Sequence, residues 1–142
     1  MNGGADFLDT NVFVYLVDAR APAKQGIAKA LVGQALSDGS GVISHQVVQE
    51  TLHVLGSKFK VATTRADRAD LLREVLVPMW HVQPSEALYG AAMEVQERHG
   101  FGFYDSLIVA AALQAGCKRL LSEDLQHGQR IGKLRIENPF AA

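Results

Sequence analysis

The sequence has one cysteine, no long apolar run and no excess of basic residues. Cys117 has no partner for an internal disulfide, which favours a reducing compartment. No stretch approaches the roughly 18 apolar residues of a membrane-spanning helix, and Met1-Asn2-Gly3-Gly4 lacks the basic flank and apolar core of a signal peptide. The formal net charge of −1 gives no global sign of nucleic-acid binding, although a local basic patch is compatible with it. These absences predict a cytoplasmic protein.

Apolar residues, by contrast, are plentiful. They make up 48% of the 142 residues, which is enough for one compact core and short for two. The chain shows no internal repeat, low-complexity tract or linker. We therefore expect residues 1–142 to form a single domain.

Strand-like and helix-like segments alternate along the chain. Strands separated by helices pair in parallel through right-handed crossovers, so the pattern predicts an α/β fold, a three-layer α/β/α sandwich around a central parallel sheet. Cap and turn residues such as Pro22 and Gly116 bound the helices. The expected strands cover residues 5–9, 41–44, 79–82, 120–122 and 134–136. The expected helices cover residues 12–16, 22–36, 45–55, 65–77, 85–98 and 104–115.

Four carboxylates follow or border the apolar segments. Asp9 and Asp124 fall at the carboxyl ends of expected strands, where open parallel sheets bind ligands. Asp105 lies in a first helical turn, where the helix dipole favours negative charge. At 100° per residue, Glu50 lies at the edge of the apolar arc of its helix. One fold can therefore bring all four acids together.

Clustered carboxylates have a specific chemical use. Magnesium and manganese prefer oxygen ligands, whereas zinc sites usually include histidine or cysteine. A divalent cation beside a phosphate neutralises charge and makes a water more acidic, and two ions about 4 Å apart clamp the attacking and leaving oxygens. The pattern therefore favours metal-dependent phosphodiester hydrolysis.

Each acid also has an ordinary structural explanation. Asp9 is a plausible helix cap, Asp105 a common first-turn acid and Glu50 a helix-surface residue. Glu123 competes with Asp124 for the fourth position. We prefer Asp124 because the side chains of Ser122 and Asp124, two residues apart, point to the same side of an extended segment. Glu123 then points to the other side, towards solvent. By the same period of two, Asp6 is peripheral, and the five histidines show no ligand spacing, although His127 lies near the site in sequence.

The order and spacing of these motifs resemble the PIN-domain family, and within it the ribonuclease toxins of bacterial VapBC-type pairs. Residues 7–16 resemble the first strand and helix of that family, and residues 47–50 resemble its second acidic motif. Residues 104–112 and 121–128 are similar to its third and fourth motifs. The similarity runs from the first strand to Asn138-Pro139-Phe140, which is nearly the whole chain.

The resemblance implies a magnesium- or manganese-dependent ribonuclease. In such a protein Asp9 and Asp105 are the central metal ligands, Glu50 and Asp124 lie nearer a second ion or its waters, and hydrogen-bonding residues orient the acids. The implied partners are an RNA substrate, a small antitoxin that covers the active site, and a second copy of the chain. The supporting residues are Thr10, Asn11 and Ser122.

Two other classes remain open. A PIN-like interaction module would keep the fold without catalysis, although such modules usually lose the acids. A phosphoacceptor signalling domain needs an acid after its third strand, and residues 81–84 have none. The apolar helix faces near residues 12–17 and 87–95 are equally compatible with a core or a homodimer. Candidate phosphate contacts are Arg20, Lys24, Lys58 and Lys60.

Overall fold

A computed structural model describes residues 4–141, so the expectation for the first three residues lies outside the described part. Within that part, six strands form one sheet in the order β3-β2-β1-β4-β6-β5. Helices flank it, which confirms the α/β sandwich. No helix among the described residues combines the length and apolarity that a bilayer crossing requires. The strands are β1 (Asp6–Leu8), β2 (Gly41–Ser44), β3 (Trp80–Val82), β4 (Arg119–Leu121), β5 (Arg130–Ile131) and β6 (Leu134–Glu137).

The helices match the predicted ones within a few residues. The fourth begins at a reciprocal cap between Thr64 and Asp67 and passes through a π-helical turn at Leu72–Leu76. Gly39 and Gly100 end the second and sixth helices in the left-handed conformation that glycine tolerates. The helices are α1 (Thr10–Val14), α2 (Pro22–Asp38), α3 (His45–Ser57), α4 (Arg65–Leu71), α5 (Val77–Met79), α6 (Glu86–His99) and α7 (Phe103–Gln114).

Strand β1 lies in the middle of the sheet. It pairs in parallel with β2 on one side and β4 on the other, so that Phe7 lies opposite Val42 and Leu120. All three residues are buried, as expected for a parallel sheet covered on both faces. The strand order reverses beside β1, and this places the carboxyl ends of β1 and β4 next to each other.

The sheet is parallel, as predicted, except for a short strand at one edge. Strand β5 runs antiparallel to β6, with Arg130 opposite Arg135 and Ile131 opposite Leu134. The two strands are joined by a two-residue turn in which Gly132 adopts a positive φ of 59°, the geometry that tight hairpins require. A two-residue strand leaves no periodic signal, and for this reason the sequence did not reveal it.

Candidate functional site

One cavity lies at the carboxyl end of the central strands. Its volume is about 530 Å³, and its walls come from α1, the loop after it, α3, the start of α7 and the loop after β4. All four predicted acids line it. They are Asp9, Glu50, Asp105 and Asp124.

Asp9 is the most buried of the four acids. It caps α1, and its carboxylate accepts hydrogen bonds from the Thr10 amide at 2.7 Å and from the Ser122 hydroxyl at 2.7 Å. Burial raises the pKa of Asp9 to about 6; the two hydrogen bonds oppose this shift, and the charges of Asp124 and Glu50 add to it. Asp9 is therefore a buried acid whose negative charge is incompletely compensated.

The predicted supporting residues contact the other acids. The Thr10 hydroxyl donates to Glu50 Oε1 at 3.1 Å, and Asn11 Nδ2 donates to Asp124 Oδ2 at 3.1 Å. The Asp124 amide donates to the Ser122 hydroxyl at 3.2 Å. These bonds fix the acids relative to β1 and β4 and therefore limit how far each carboxylate can turn away from the cavity.

Asp105 reaches the cavity from the start of α7. It lies in the first turn of α7, whose residues 106–112 are all buried, so the helix that carries it is firmly packed. Partial desolvation, followed by the nearby Asp124 charge, raises the pKa of Asp105. Gln46 links this wall to α3, because its Nε2 donates to Glu50 Oε2 at 3.4 Å and to the Tyr104 carbonyl at 3.3 Å.

The chemistry of the four acids fits magnesium or manganese, which bind carboxylate oxygen. Burial is the main cause of the raised pKa values of Asp9 and Asp105, and the charge of Asp124 adds to both, so that a bound cation would favour the ionised forms. Between residues 4 and 141, no basic nitrogen lies within 4 Å of any of the four carboxylates. In the same part of the chain, however, no three acidic, histidine or cysteine side chains stand close enough together to hold an ion as they are placed. Binding would therefore require side-chain rotation.

Glu123 does not point freely into solvent, contrary to the sequence prediction. Its carboxylate accepts from Lys24 at 2.5 Å and from the Tyr15 hydroxyl at 2.6 Å. Desolvation opposes ionisation of Glu123, but the bonds from Lys24 and Tyr15 outweigh it and lower the pKa. Glu123 is thus neutralised on the α2 side, while Asp124 faces the cavity. The alternation of side chains along an extended segment cannot reveal a lysine that is distant in sequence.

Two of the four candidate phosphate contacts line the cavity. Arg20 donates two hydrogen bonds to the buried Asp18 and lies over the ring of Phe59 at 5.4 Å, and Lys58 stands nearby. The other two candidates, Lys24 and Lys60, are not among the described residues of the cavity wall. Lys24 is paired with Glu123 instead. The basic residues therefore stand at the edge next to α3 rather than among the acids.

Sequence reasoning missed two polar residues of the cavity wall. Gln46 and His53 lie one turn before and about one turn after Glu50, so helical spacing of four and three residues places them on the same face. That spacing could have identified both. His127, in contrast, accepts a hydrogen bond from the Asn138 amide at 2.9 Å and has a structural role.

Comparison with known proteins agrees with this fold. The family model described as PIN domain matches residues 7–132. A toxin–antitoxin complex from Klebsiella pneumoniae aligns with a TM-score of 0.69 at 18% identity, over 97% of this chain and 100% of that one. The sarcin-ricin loop cleaving toxin VapC20 from Mycobacterium tuberculosis aligns with a TM-score of 0.62 at 22% identity, over 84% and 92%.

A third solved structure, FitAcB from Neisseria gonorrhoeae, aligns with a TM-score of 0.64 at 18% identity, over 96% of this chain and 99% of that one. No curated protein sequence matches significantly. At these identities the solved structures establish the fold alone. The family model covers most of the sequence and establishes the family. The chain belongs to the PIN-domain family.

Proposed function

We propose that the protein is a metal-dependent endoribonuclease that hydrolyses RNA phosphodiester bonds. The observation that carries this proposal is the convergence of four carboxylates, from four separate parts of the chain, on one cavity in which Asp9 is buried without a cationic partner among the described residues. Buried charge of one sign is costly, and proteins retain it where a bound ion or substrate compensates it.

The acids have distinct roles in this proposal. Asp9 and Asp105 are the central ligands, while Glu50 and Asp124 hold a second ion or ordered waters. Magnesium or manganese, when bound, supplies positive charge beside the phosphate oxygens and activates a water for attack on phosphorus. Thr10, Asn11 and Ser122 keep the acids oriented through the hydrogen bonds described above.

The basic edge of the cavity suits the nucleic-acid backbone. Arg20 keeps part of its guanidinium accessible, since its side chain is 81% exposed despite the bonds to Asp18. Lys58 is exposed on the same wall. Both can contact phosphates that flank the scissile bond, and such contacts position RNA without reading its sequence.

Cleavage of labelled RNA by the purified protein tests the chemistry. We expect turnover with magnesium or manganese and none in excess EDTA, and a loss of about 1,000-fold or more in Asp9→Asn and in Asp105→Asn. Asp70→Asn is the matched control, because Asp70 is an exposed acid paired with Arg73 outside the cavity. Undiminished cleavage in EDTA, or by both cavity variants, would contradict the proposal and favour an interaction module without catalysis.

We further propose that the nuclease is the toxin of a type II toxin–antitoxin pair, active on RNA in the cytoplasm as a homodimeric single-domain protein. This rests on the similarity to the Klebsiella complex and to VapC20. Expression of the chain alone should arrest growth, Asp9→Asn should relieve the arrest, and co-expression of an adjacent small DNA-binding partner should do the same. Equal arrest by a folded Asp9→Asn variant would reject the toxin role, and a monomeric mass in light scattering would reject the homodimer.

A further inference from the structure

A second cavity adjoins the acidic one. Its volume is about 410 Å³, it lies between α3, α6 and the start of α7, and it shares Gln46 and Tyr104 with the acidic cavity. We call it the aromatic groove. It is defined here by Ser44, His45, Gln46, Tyr89, Phe103 and Tyr104.

Polar atoms in the groove lack partners. Ser44 Oγ, His45 Nδ1 and Gln46 Oε1 are buried and have no hydrogen-bond partner among residues 4–141. Ser44 is only 3% exposed and Gln46 only 9% exposed. Ser44 occupies the N-cap position of α3, yet its hydroxyl does not cap the helix. Unpaired buried polar atoms are uncommon, because each costs the energy of a lost hydrogen bond.

The orientation of the Gln46 amide is determined by its neighbours. Its nitrogen faces two acceptors, the Glu50 carboxylate and the Tyr104 carbonyl, so its oxygen must be the atom left free. Three residues that line the groove therefore carry unsatisfied polar atoms, which are a fixed acceptor on Gln46, the Ser44 hydroxyl and a His45 imidazole nitrogen.

Aromatic side chains at the groove are exposed to water. Tyr104 is 67% exposed, Tyr89 42% and Phe103 36%. No lysine or arginine is among the described residues that line this groove, so nothing there suits a phosphate. A ligand with a flat apolar face and a polar edge satisfies both features, and unpaired RNA bases are recognised by stacking on aromatic rings and by hydrogen bonds to their edges.

We propose that the aromatic groove binds one unpaired base of the substrate RNA, with an N–H of the base donating to Gln46 Oε1. This rests on the proposed ribonuclease function. Gln46 touches Glu50 on one side and the groove on the other, and Tyr104 directly precedes Asp105. The bound base therefore belongs to a nucleotide close to the scissile phosphate, and the groove selects single-stranded positions.

An abasic scan of the RNA tests this proposal. Once the cleavage site is mapped, substrates carrying one abasic nucleotide at each flanking position are compared by kcat/KM. For the wild type we expect a drop of about tenfold or more at one position, the scale of losing one stacked base. Tyr89→Ala should show a similar drop on intact RNA and no further drop on that abasic substrate.

Ser44→Ala provides an independent variant, since its hydroxyl supports no helix cap; it should lower kcat/KM on intact RNA but not on the abasic substrate. Met93→Ala is the control, because Met93 is 57% exposed on α6 but does not line the groove. A flat scan, or Tyr89→Ala and Ser44→Ala proteins as sensitive to the abasic site as the wild type, would overturn the base site while leaving the nuclease intact. Failure of the wild type to cleave any RNA would overturn both proposals.

A second copy of the chain is the competing occupant of the groove. If Tyr89→Ala halves the mass in light scattering while abasic sensitivity stays that of the wild type, the groove is a protein interface and the base site is rejected. An unchanged mass together with lost abasic sensitivity supports the base site.

Discussion

Acidic side chains at the two ends of strand β1 have different hydrogen-bonding and charged partners. At the amino end, Asp6 accepts two hydrogen bonds from Arg119, at 2.8 and 2.7 Å, and Arg119 also contacts Glu137 at 2.9 Å. At the carboxyl end, Asp9 is buried among other acids with hydroxyl and amide donors alone. The first charge is neutralised by the fold. The second has no cationic partner among residues 4–141, as we expect of an acid that binds a metal ion.

The same contrast recurs between two neighbours in sequence. Glu123 is paired with Lys24 and accepts a hydrogen bond from the Tyr15 hydroxyl. Asp124 lines the cavity, and among the described residues its carboxylate accepts only from the Asn11 side-chain amide. Adjacent carboxylates of similar chemistry therefore have different roles. The distribution of cations around them, rather than their spacing in sequence, decides which one is available to a metal.

The largest effect expected for the contrast between Glu123 and Asp124 is on RNA cleavage. Asp124→Asn should lower RNA cleavage by about 100-fold, because it removes a charge beside the metal, whereas Glu123→Gln should change it by less than about threefold. Initial rates with saturating manganese measure both. A larger loss for Glu123→Gln than for Asp124→Asn would assign the fourth acidic position to Glu123 and break the comparison.

A smaller effect concerns the structural end of β1. Asp6→Asn should destabilise the protein by about 2–3 kcal/mol, because it leaves the partly buried Arg119 without its bidentate partner. Asp70→Asn, which breaks an exposed pair with Arg73, should cost less than about 1 kcal/mol. Urea unfolding curves give both values. Equal small losses would mean that the Arg119 network contributes little to the fold.

The fold could be predicted from local signals because they agree with one another. Strand β2 has the bounds expected from its short apolar run, and Pro22 begins α2 as predicted. Both features depend on residues close in sequence. The convergence of the acids was also predictable in part, since Asp9 and Asp124 follow neighbouring parallel strands.

Features that depend on distant residues were not predictable. Lys24 lies 99 positions before Glu123, and no periodicity connects them. The unpaired atoms of the aromatic groove depend on how α3, α6 and α7 pack together, which a single sequence does not specify. Both the Lys24–Glu123 pair and the unpaired groove atoms depend on tertiary packing.

The pKa of Asp9 determines whether its charge stabilises or destabilises the folded protein. Its folded-state pKa is about 6, above the value of 3.8 expected for an unpaired aspartate. A group of this kind costs stability above the folded pKa, where the buried carboxylate is ionised. The cost falls as the pH is lowered through about 6 and disappears below the unfolded pKa.

The smallest expected effect therefore has an unusual sign. In EDTA at pH 7.5, Asp9→Asn should unfold at a higher urea concentration than the wild type. Its free energy of unfolding should be higher by about 1–2 kcal/mol, because the amide keeps an acceptor for Ser122 or Thr10 without the buried charge. At pH 4 most of this difference should be lost. Saturating manganese should stabilise the wild type by binding the folded state, and the variant much less, which reverses their order near neutral pH. If Asp9→Asn is less stable in EDTA and manganese shifts both proteins alike, the acids do not surround a metal, and Asp9 is a structural cap like Asp67.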